Sequence, residues 1–83
     1  MTDSPDAKLE LDLRGLNCPL PVLRTRKALA TMAPGERVRV ITTDPGSEID
    51  LRVLAEVNGH QVLSFDTQPD RFVFLIEKGA PAA

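Results

Sequence analysis

The sequence of 83 residues contains one cysteine, one histidine, and no tryptophan or tyrosine. A single cysteine cannot form an internal disulfide, and it excludes zinc and redox sites of the Cys-x-x-Cys type. Because His60 is the only histidine, clusters of cysteine and histidine that hold metals are excluded as well, and we expect neither a metal nor a cofactor. Three phenylalanines are a poor platform for stacking the bases of single-stranded nucleic acid.

The sequence also lacks an excess of basic charge and a long apolar run. The formal net charge is −2, which argues against binding to the nucleic-acid backbone. No apolar run approaches the roughly 20 residues that span a bilayer. The segment from Met1 to Ala7 is polar and has no apolar stretch of the kind found in secretory signals. We therefore expect a cytoplasmic protein that makes no contact with membranes.

The length and composition are those of one small globular domain, with 42% hydrophobic and 27% charged residues. We expect this domain over residues 8–79, with a flexible N-terminal segment at residues 1–7 and a flexible tail at residues 80–83. A domain of this size is too small to enclose a large cofactor or a deep substrate cavity.

Hydrophobic periodicity predicts six secondary-structure elements. Residues 8–14 alternate strictly between leucines and charged residues, which is the period-two pattern of a strand with one buried face. A helical stripe at spacings of three and four predicts a helix over residues 20–32 that ends before Pro34-Gly35, and its members are Val22, Thr25, Leu29 and Met32. A β-branched strand follows at residues 37–43, and two further strands are predicted at residues 61–66 and 72–77.

The second helix can begin in either of two ways in the segment Asp44-Pro45-Gly46-Ser47. Either Asp44 is the N-cap and Pro45 takes the first helical position, or Ser47 is the N-cap. Asn58-Gly59 is a good left-handed stop. The helix is expected to bury an apolar face, which consists of Ile49, Val53, Leu54 and Val57.

The predicted order of elements is β-α-β-α-β-β. Strand–helix–strand units cross over right-handedly and give parallel strands, and the alternation in the first strand implies that only one face of the sheet is covered. The expected fold is therefore an α/β (α+β) two-layer sandwich, a four-stranded mixed sheet with two helices on one face. The open face is then expected to expose Ile41, Val73 and Leu75.

The segment GLNCPLP, residues 15–21, is the most informative part of the chain. A residue that precedes proline avoids helical torsion angles, whereas proline suits the first helical position. Cys18 is therefore predicted to be the N-cap of the first helix, with Pro19 at the first helical position. Pro21 lies in the same first turn, and the remaining free amides of that turn are expected to face the sulfur.

Four basic residues and no acidic ones lie between Leu13 and Gly35, in a chain that is acidic overall. Together with the positive end of the helix dipole, they are expected to lower the pKa of the Cys18 thiol below its free value of about 8.5 and to attract an acidic partner. Because neighbouring parallel strands end on the same edge of a sheet, Asp44-Pro45 is expected to lie near Cys18. The four basic residues are Arg14, Arg24, Arg26 and Lys27.

A single reactive thiolate without a second cysteine or a positioned base cannot run a dithiol cycle or a protease-type mechanism. It can accept a group and hand it to the thiol of another protein. Sulfane sulfur suits this task, because a persulfide forms and transfers by thiolate attack. Two other interpretations stay open. The chain could be a non-catalytic adaptor or thiol redox sensor, or a protein with this two-layer fold that handles selenium or has a regulatory role.

Several segments resemble the TusA (SirA-like) family of sulfur-carrier proteins: LDLRGLNCPLPVL at residues 11–23, Pro34-Gly35-Glu36, and Thr43-Asp44-Pro45. The resemblance covers about residues 9–79 and implies the strand order 1-2-4-3, with only the fourth strand antiparallel. It also implies that Cys18 carries a persulfide sulfur. The motif positions that shape the cysteine loop are Gly15, Asn17, Pro19 and Pro21, and Asp44 and Pro45 match the start of the family's second helix.

The resemblance implies a sulfurtransferase that acts as a protein persulfide relay. Its sulfur would come from a cysteine desulfurase or a rhodanese-type protein and would pass to a DsrE-type relay protein or a similar acceptor. The pathways served in the family are tRNA thiolation, molybdenum-cofactor sulfur supply and oxidation of reduced sulfur, and the sequence does not choose among them. Family members with a second cysteine in the C-terminal half use two thiols, which this sequence excludes. The sequence favours a monomer.

Overall fold

Six elements follow one another in the predicted order within residues 7–80, the part of the chain that the computed structural model describes. The flexible segments predicted at residues 1–7 and 80–83 fall almost wholly outside the described residues, although Ala7 already begins the first strand. The elements are β1 (Ala7–Leu13), α1 (Leu20–Ala30), β2 (Arg37–Thr42), α2 (Ser47–Asn58), β3 (Gln61–Gln68) and β4 (Arg71–Glu77).

The four strands form one sheet in the order β1-β2-β4-β3. Strands β1 and β2 are parallel, with Leu11 opposite Val40, and β4 is antiparallel to both β2 and β3. The two-layer fold class and the strand order with a single antiparallel strand are therefore confirmed. Because β1 and β2 end at the same edge, the loop that contains Cys18 and the segment that begins with Thr43 are neighbours.

The core lies between the sheet and the two helices. Val38 and Val40 of β2 and Phe74 and Ile76 of β4 alternate onto the helix side and have no exposed surface. From α1, the predicted stripe is confirmed, since Thr25 and Leu29 are buried and Met32 is buried just beyond the helix end. Within residues 7–80, neither helix has the length and apolar character needed to cross a membrane.

Helix α2 is rotated relative to the prediction. Of the four residues expected to be buried, only Leu54 is, whereas Ile49, Val53 and Val57 are 71%, 53% and 76% exposed. The buried positions instead are Ser47, Leu51, Leu54 and Ala55, which also follow a helical spacing. This face is tied to β2 by the hydroxyl of Ser47, which lies in a buried hydrogen bond of 2.6 Å with the hydroxyl of Thr42.

The open face of the sheet is less exposed than expected. Ile41 and Val73 are opposite each other in the register of β2 and β4, and they are only 6% and 9% exposed, while Leu75 is partly buried. Arg39 of the same face is itself buried and forms an ion pair with Glu10 on β1, so its aliphatic stem lies along the sheet rather than in solvent. The exposed apolar surface of the molecule is therefore concentrated on the helix side, near α2.

Candidate functional site

Cys18 is exposed in the loop between β1 and α1. The loop leaves β1 through Gly15, whose φ of +82° is readily adopted only by glycine. The amide of Leu16 donates to the Leu13 carbonyl at 3.2 Å, and the amide of Leu20 donates to the Asn17 carbonyl at 2.8 Å. Two successive turns thus carry the chain from the strand to the helix, and Cys18 lies in the second turn. The Cys18–Pro19 peptide bond is cis.

The predicted position of Cys18 at the helix start was wrong by one residue. The helix begins at Leu20, Pro19 is the N-cap, and Pro21 lies in the first turn. Because the amide of Leu20 closes a turn onto the Asn17 carbonyl, Cys18 and Pro19 belong to that turn, and the Leu20 amide does not face the sulfur.

Two hydrogen bonds tie the cysteine loop to the end of β2. The backbone N–H of Gly15 donates to the Thr43 hydroxyl at 2.9 Å, and the backbone N–H of Cys18 donates to Oδ2 of Asp44 at 3.0 Å. The other carboxylate oxygen of Asp44 accepts from the Gly46 amide at 3.3 Å. As expected, Asp44-Pro45 lies next to Cys18. The carboxylate of Asp44 therefore joins two loops and fixes the backbone that carries the thiol.

Both proposed caps of α2 were wrong. The N-cap is Gly46, and no side chain caps the helix. Asp44 is occupied by the Cys18 amide, and Ser47 is the first helical residue, where its hydroxyl donates to the Asp44 carbonyl at 2.7 Å. Asp44 therefore connects the helix start to the cysteine loop, and Ser47 connects it to the end of β2.

The electrostatic environment of the sulfur is the reverse of the predicted one. Hydrogen bonding of the thiol to the Asp50 carboxylate raises the pKa of Cys18 above its ordinary value, and partial desolvation and the negative charges of Asp50 and Asp44 act in the same direction. The prediction of a lowered pKa was therefore wrong. It counted charges near Cys18 in sequence, whereas the carboxylate that faces the sulfur belongs to α2.

The four basic residues do not converge on the thiol. Arg14 forms an ion pair with Asp12, with a distance of 2.7 Å between Nη2 and Oδ2. Arg24, Arg26 and Lys27 are exposed on α1, and Arg26 is the one among them that shares a groove with Cys18. The basic segment is thus spread over an ion pair and a solvated helix face.

A groove of about 480 Å³ runs between α1 and α2 and begins at the sulfur. Both helices follow parallel strands and run back along them, so they point in the same direction. Cys18 and Asp50 therefore lie at one end of the groove, and Arg26 and Asn58 lie at the other. The side chains between these ends are mostly apolar: Pro19, Val22, Leu23, Val53, Leu54 and Val57.

The sequence did not reveal this groove, because Val53 and Val57 of its α2 wall were assigned to the buried face of that helix. Leu23, Val53 and Val57 are each about half exposed or more. Leu20 at 40% and Ile49 at 71% extend the exposed apolar surface around the sulfur end. One feature of the sequence could have indicated the groove: α2 has more apolar residues than a single buried helix face needs.

Comparison with known proteins identifies the family. The family model described as "Sulfurtransferase TusA" matches residues 9–78. The sulfur carrier protein TusA of Allochromatium vinosum is 44% identical over 73 residues, which cover 88% of this chain and 96% of that protein. A putative sulfur carrier protein of Bacillus subtilis, YrkI, is 38% identical over 69 residues, covering 83% of this chain and 92% of that protein.

A solved structure agrees with the sequence matches. The crystal structure of the SirA-like protein from Desulfitobacterium hafniense superimposes with a TM-score of 0.75 at 30% sequence identity, covering 87% of this chain and 99% of that one. The matched range contains all six elements and both loops of the site, apart from the first two residues of β1. The chain belongs to the TusA family of sulfur carrier proteins.

Proposed function

We propose that this chain accepts a sulfane sulfur on Cys18 as a persulfide and passes it to a cysteine of an acceptor protein. The observation that carries the proposal is the exposed thiol of Cys18, which is held by a backbone hydrogen bond to Asp44 and opens onto a groove large enough for a visiting protein segment. Among residues 7–80 the site is an open groove and not an enclosed cavity, so the donor and the acceptor must supply the remaining groups that surround the transferred sulfur.

The transfer is a thiol exchange in which atoms and electrons balance. The Cys18 thiolate attacks the outer sulfur of a donor persulfide R–S–SH, a new S–S bond forms on Cys18, and the old S–S bond breaks. The donor cysteine leaves with the electron pair and takes up the proton that Cys18 has lost. The net reaction converts R–S–SH and the Cys18 thiol into R–SH and the Cys18 persulfide, and the step to the acceptor is the same reaction again.

The residues around Cys18 act as positioning residues in this proposal. Gly15 and Asn17 form the turns of the loop, and Pro19 and Pro21 stiffen the entry into α1. Asp44 fixes the Cys18 backbone, with Pro45 in the same connection. Because they hold the backbone and not the sulfur, they are expected to affect the rate of transfer more than the ability to form a persulfide.

The proposed partners are proteins on both sides of the relay. The donor is a cysteine desulfurase or a rhodanese-type protein, and the acceptor is a DsrE-type relay protein or a similar thiol protein. The product serves tRNA thiolation, molybdenum-cofactor supply or sulfur oxidation in the cytoplasm, without direct contact with nucleic acid or membranes. Arg24, Arg26 and Lys27 are the exposed basic residues of α1 through which a partner can be steered, whereas Arg14 is paired with Asp12.

Mass spectrometry of the intact chain tests the proposal. Incubation with cysteine and a desulfurase, or with thiosulfate and a rhodanese, should add about 32 Da, the mass of one sulfane sulfur. The addition should disappear on treatment with dithiothreitol and should be absent from Cys18→Ser. If a folded wild-type chain acquires no sulfur from any of these donors, the proposal is wrong.

A further inference from the structure

We propose that the groove between α1 and α2 docks a protein partner that places a basic side chain on Asp50 and an apolar side chain against Leu23, Val53 and Val57. This inference rests on the proposed function and specifies the chemistry of the partner surface that surrounds the reacting cysteine. It differs from the sequence-based expectation of an acidic partner, which rested on the basic residues of α1.

The first argument is the exposure of the groove walls. Val53 and Val57 are four residues apart on α2 and are 53% and 76% exposed, and Leu23 on α1 is 49% exposed. The three side chains line the groove that begins at the sulfur. A partner whose thiol reaches Cys18 can cover this surface, and burial of its apolar area favours docking.

The second argument is the charge at the sulfur end. Asp50 faces Cys18 in the groove, and within residues 7–80 no lysine or arginine forms an ion pair with it. Asp44, the other carboxylate at the sulfur, is occupied by the amides of Cys18 and Gly46. Arg26 lies at the opposite end of the groove. Charge complementarity therefore favours a partner with a basic group beside the reacting sulfur. Arg26 is available for a separate contact with the partner at the other end of the groove.

Docking of a basic side chain would also prepare the thiol for reaction. In the free protein, the negative charge of Asp50 favours the protonated thiol, and its hydrogen bond with the sulfur raises the pKa of Cys18. A partner ammonium or guanidinium group on Asp50 compensates that charge, so the proton leaves Cys18 more readily once the partner is in place. The same contact that recognises the partner then increases the fraction of attacking thiolate.

Three short peptides test the proposal without an identified partner. Each carries one cysteine as a mixed disulfide with 2-thiopyridine: one has a lysine and a leucine beside the cysteine, one has a glutamate and a leucine, and one has a lysine and a serine. Attack of Cys18 on the peptide sulfur forms the Cys18–peptide disulfide and breaks the bond to the pyridyl sulfur. Pyridine-2-thione leaves with the electron pair and the Cys18 proton, and its absorbance gives the rate.

The wild-type chain should react faster with the lysine–leucine peptide than with either of the other two. The difference between the lysine and glutamate peptides should be about three-fold, as expected for an exposed charge pair. Asp50→Asn should remove the preference for lysine over glutamate, and added salt should weaken it in the wild type. Val53→Ser, one helical turn from Asp50, should reduce the preference for leucine over serine and leave the charge preference unchanged. Equal rates with all three peptides, or a preference for glutamate, would overturn the proposal.

Two control variants match the changes in charge and in apolar surface. Glu56→Gln removes one exposed carboxylate from the same helix outside the groove, and it should leave the lysine preference intact. Leu63→Ser removes an exposed apolar side chain from β3 and should leave the leucine preference intact. If Glu56→Gln abolishes the charge preference as fully as Asp50→Asn, the effect reflects net charge alone and the assignment to Asp50 fails.

A second copy of the chain is the competing occupant, and sedimentation velocity distinguishes it. The proposal predicts a monomer, whereas a dimer that Val57→Ser disrupts would assign the groove to self-association and overturn it. The outcome is also separable from that of the proposed function. If the chain loads sulfur but shows no preference among the peptides, the carrier function stands and the docking proposal fails. If it shows the preferences but never loads sulfur, the docking proposal stands and the carrier function fails.

Discussion

The backbone N–H of Cys18 donates to Oδ2 of Asp44 at 3.0 Å, and this hydrogen bond joins the two loops at the ends of the parallel strands β1 and β2. It is the direct link between the thiol-bearing loop and the start of α2. It exists because both strands end at the same edge of the sheet, and it makes the position of the sulfur depend on a carboxylate distant in sequence.

Asp44→Ala is expected to destabilise the protein and to slow sulfur transfer. The substitution leaves the Cys18 amide without its charged acceptor, and such hydrogen bonds contribute about 1.5–3 kcal/mol. Asp44→Asn keeps an acceptor oxygen and should lose less than half as much. Urea unfolding measures the stability, and single-turnover loading measures the rate. Equal loading rates in Asp44→Ala and wild type would show that the tether does not position the thiol.

The buried hydroxyls of Thr42 and Ser47 are expected to be coupled. Their oxygens are 2.6 Å apart, and both residues are essentially unexposed. Ser47→Ala leaves the Thr42 hydroxyl with one partner fewer in a buried place, for a loss of about 1–3 kcal/mol. Thr42→Val should have a similar effect, and the double variant should lose less than the sum of the two. A double-mutant cycle from urea unfolding gives the coupling, and strict additivity would argue against the pair.

His60 is expected to make stability fall at mildly acidic pH. Its Nδ1 accepts a hydrogen bond of 3.0 Å from the Gly79 amide, and burial, followed by the charge of Lys78, lowers the pKa of His60 below 6.5. The folded state therefore favours the neutral ring. This stabilisation is complete above the unfolded pKa of about 6.5 and is lost as the pH falls below that value and through the lower pKa of the folded state. Urea midpoints should drop more between about pH 7.5 and 5.5 in wild type than in His60→Gln. Equal drops would contradict the assignment.

Arg14 is expected to control the ionisation of Asp12. Hydrogen bonds from the Arg14 side chain and backbone are the main reasons that the pKa of Asp12 is lowered to about 2, with a smaller contribution from Arg71. Arg14→Gln should bring the Asp12 pKa back towards 3.8. An NMR titration of the carboxyl carbon measures the change. A pKa that stays near 2 in the variant would show that Arg14 is not the partner and is available for other contacts.

The sequence predicted the architecture well because the relevant signals are local. The alternation in β1, the apolar stripe of α1 and the stop at Asn58-Gly59 each depend on residues within one element. Helix α2 was misjudged because it carries two apolar stripes, and the one that packs on the sheet contains Leu51 and Ala55, with Ser47 bonded to Thr42 at its start.

The site was predicted in its parts but not in its electrostatics. The loop with Cys18 and its proximity to Asp44 followed from the motif and from the parallel strands. The raised pKa of Cys18 did not, since Asp50 reaches the sulfur only through the packing of α2 against α1. The same packing turns Val53 and Val57 into walls of a groove. Both features depend on contacts between elements, which a local pattern of residues does not specify.

A transfer experiment with radioactive sulfur tests the central claim most directly. The chain is loaded from ³⁵S-cysteine and a desulfurase, separated from the donor, and mixed with an acceptor protein that has one reactive cysteine. We predict that one ³⁵S per chain is bound in a form that dithiothreitol releases, and that it moves to the acceptor, with neither step in Cys18→Ser. Loading of Cys18→Ser to the same extent, or sulfur that stays on the wild-type chain when every acceptor tried is added, would contradict the account.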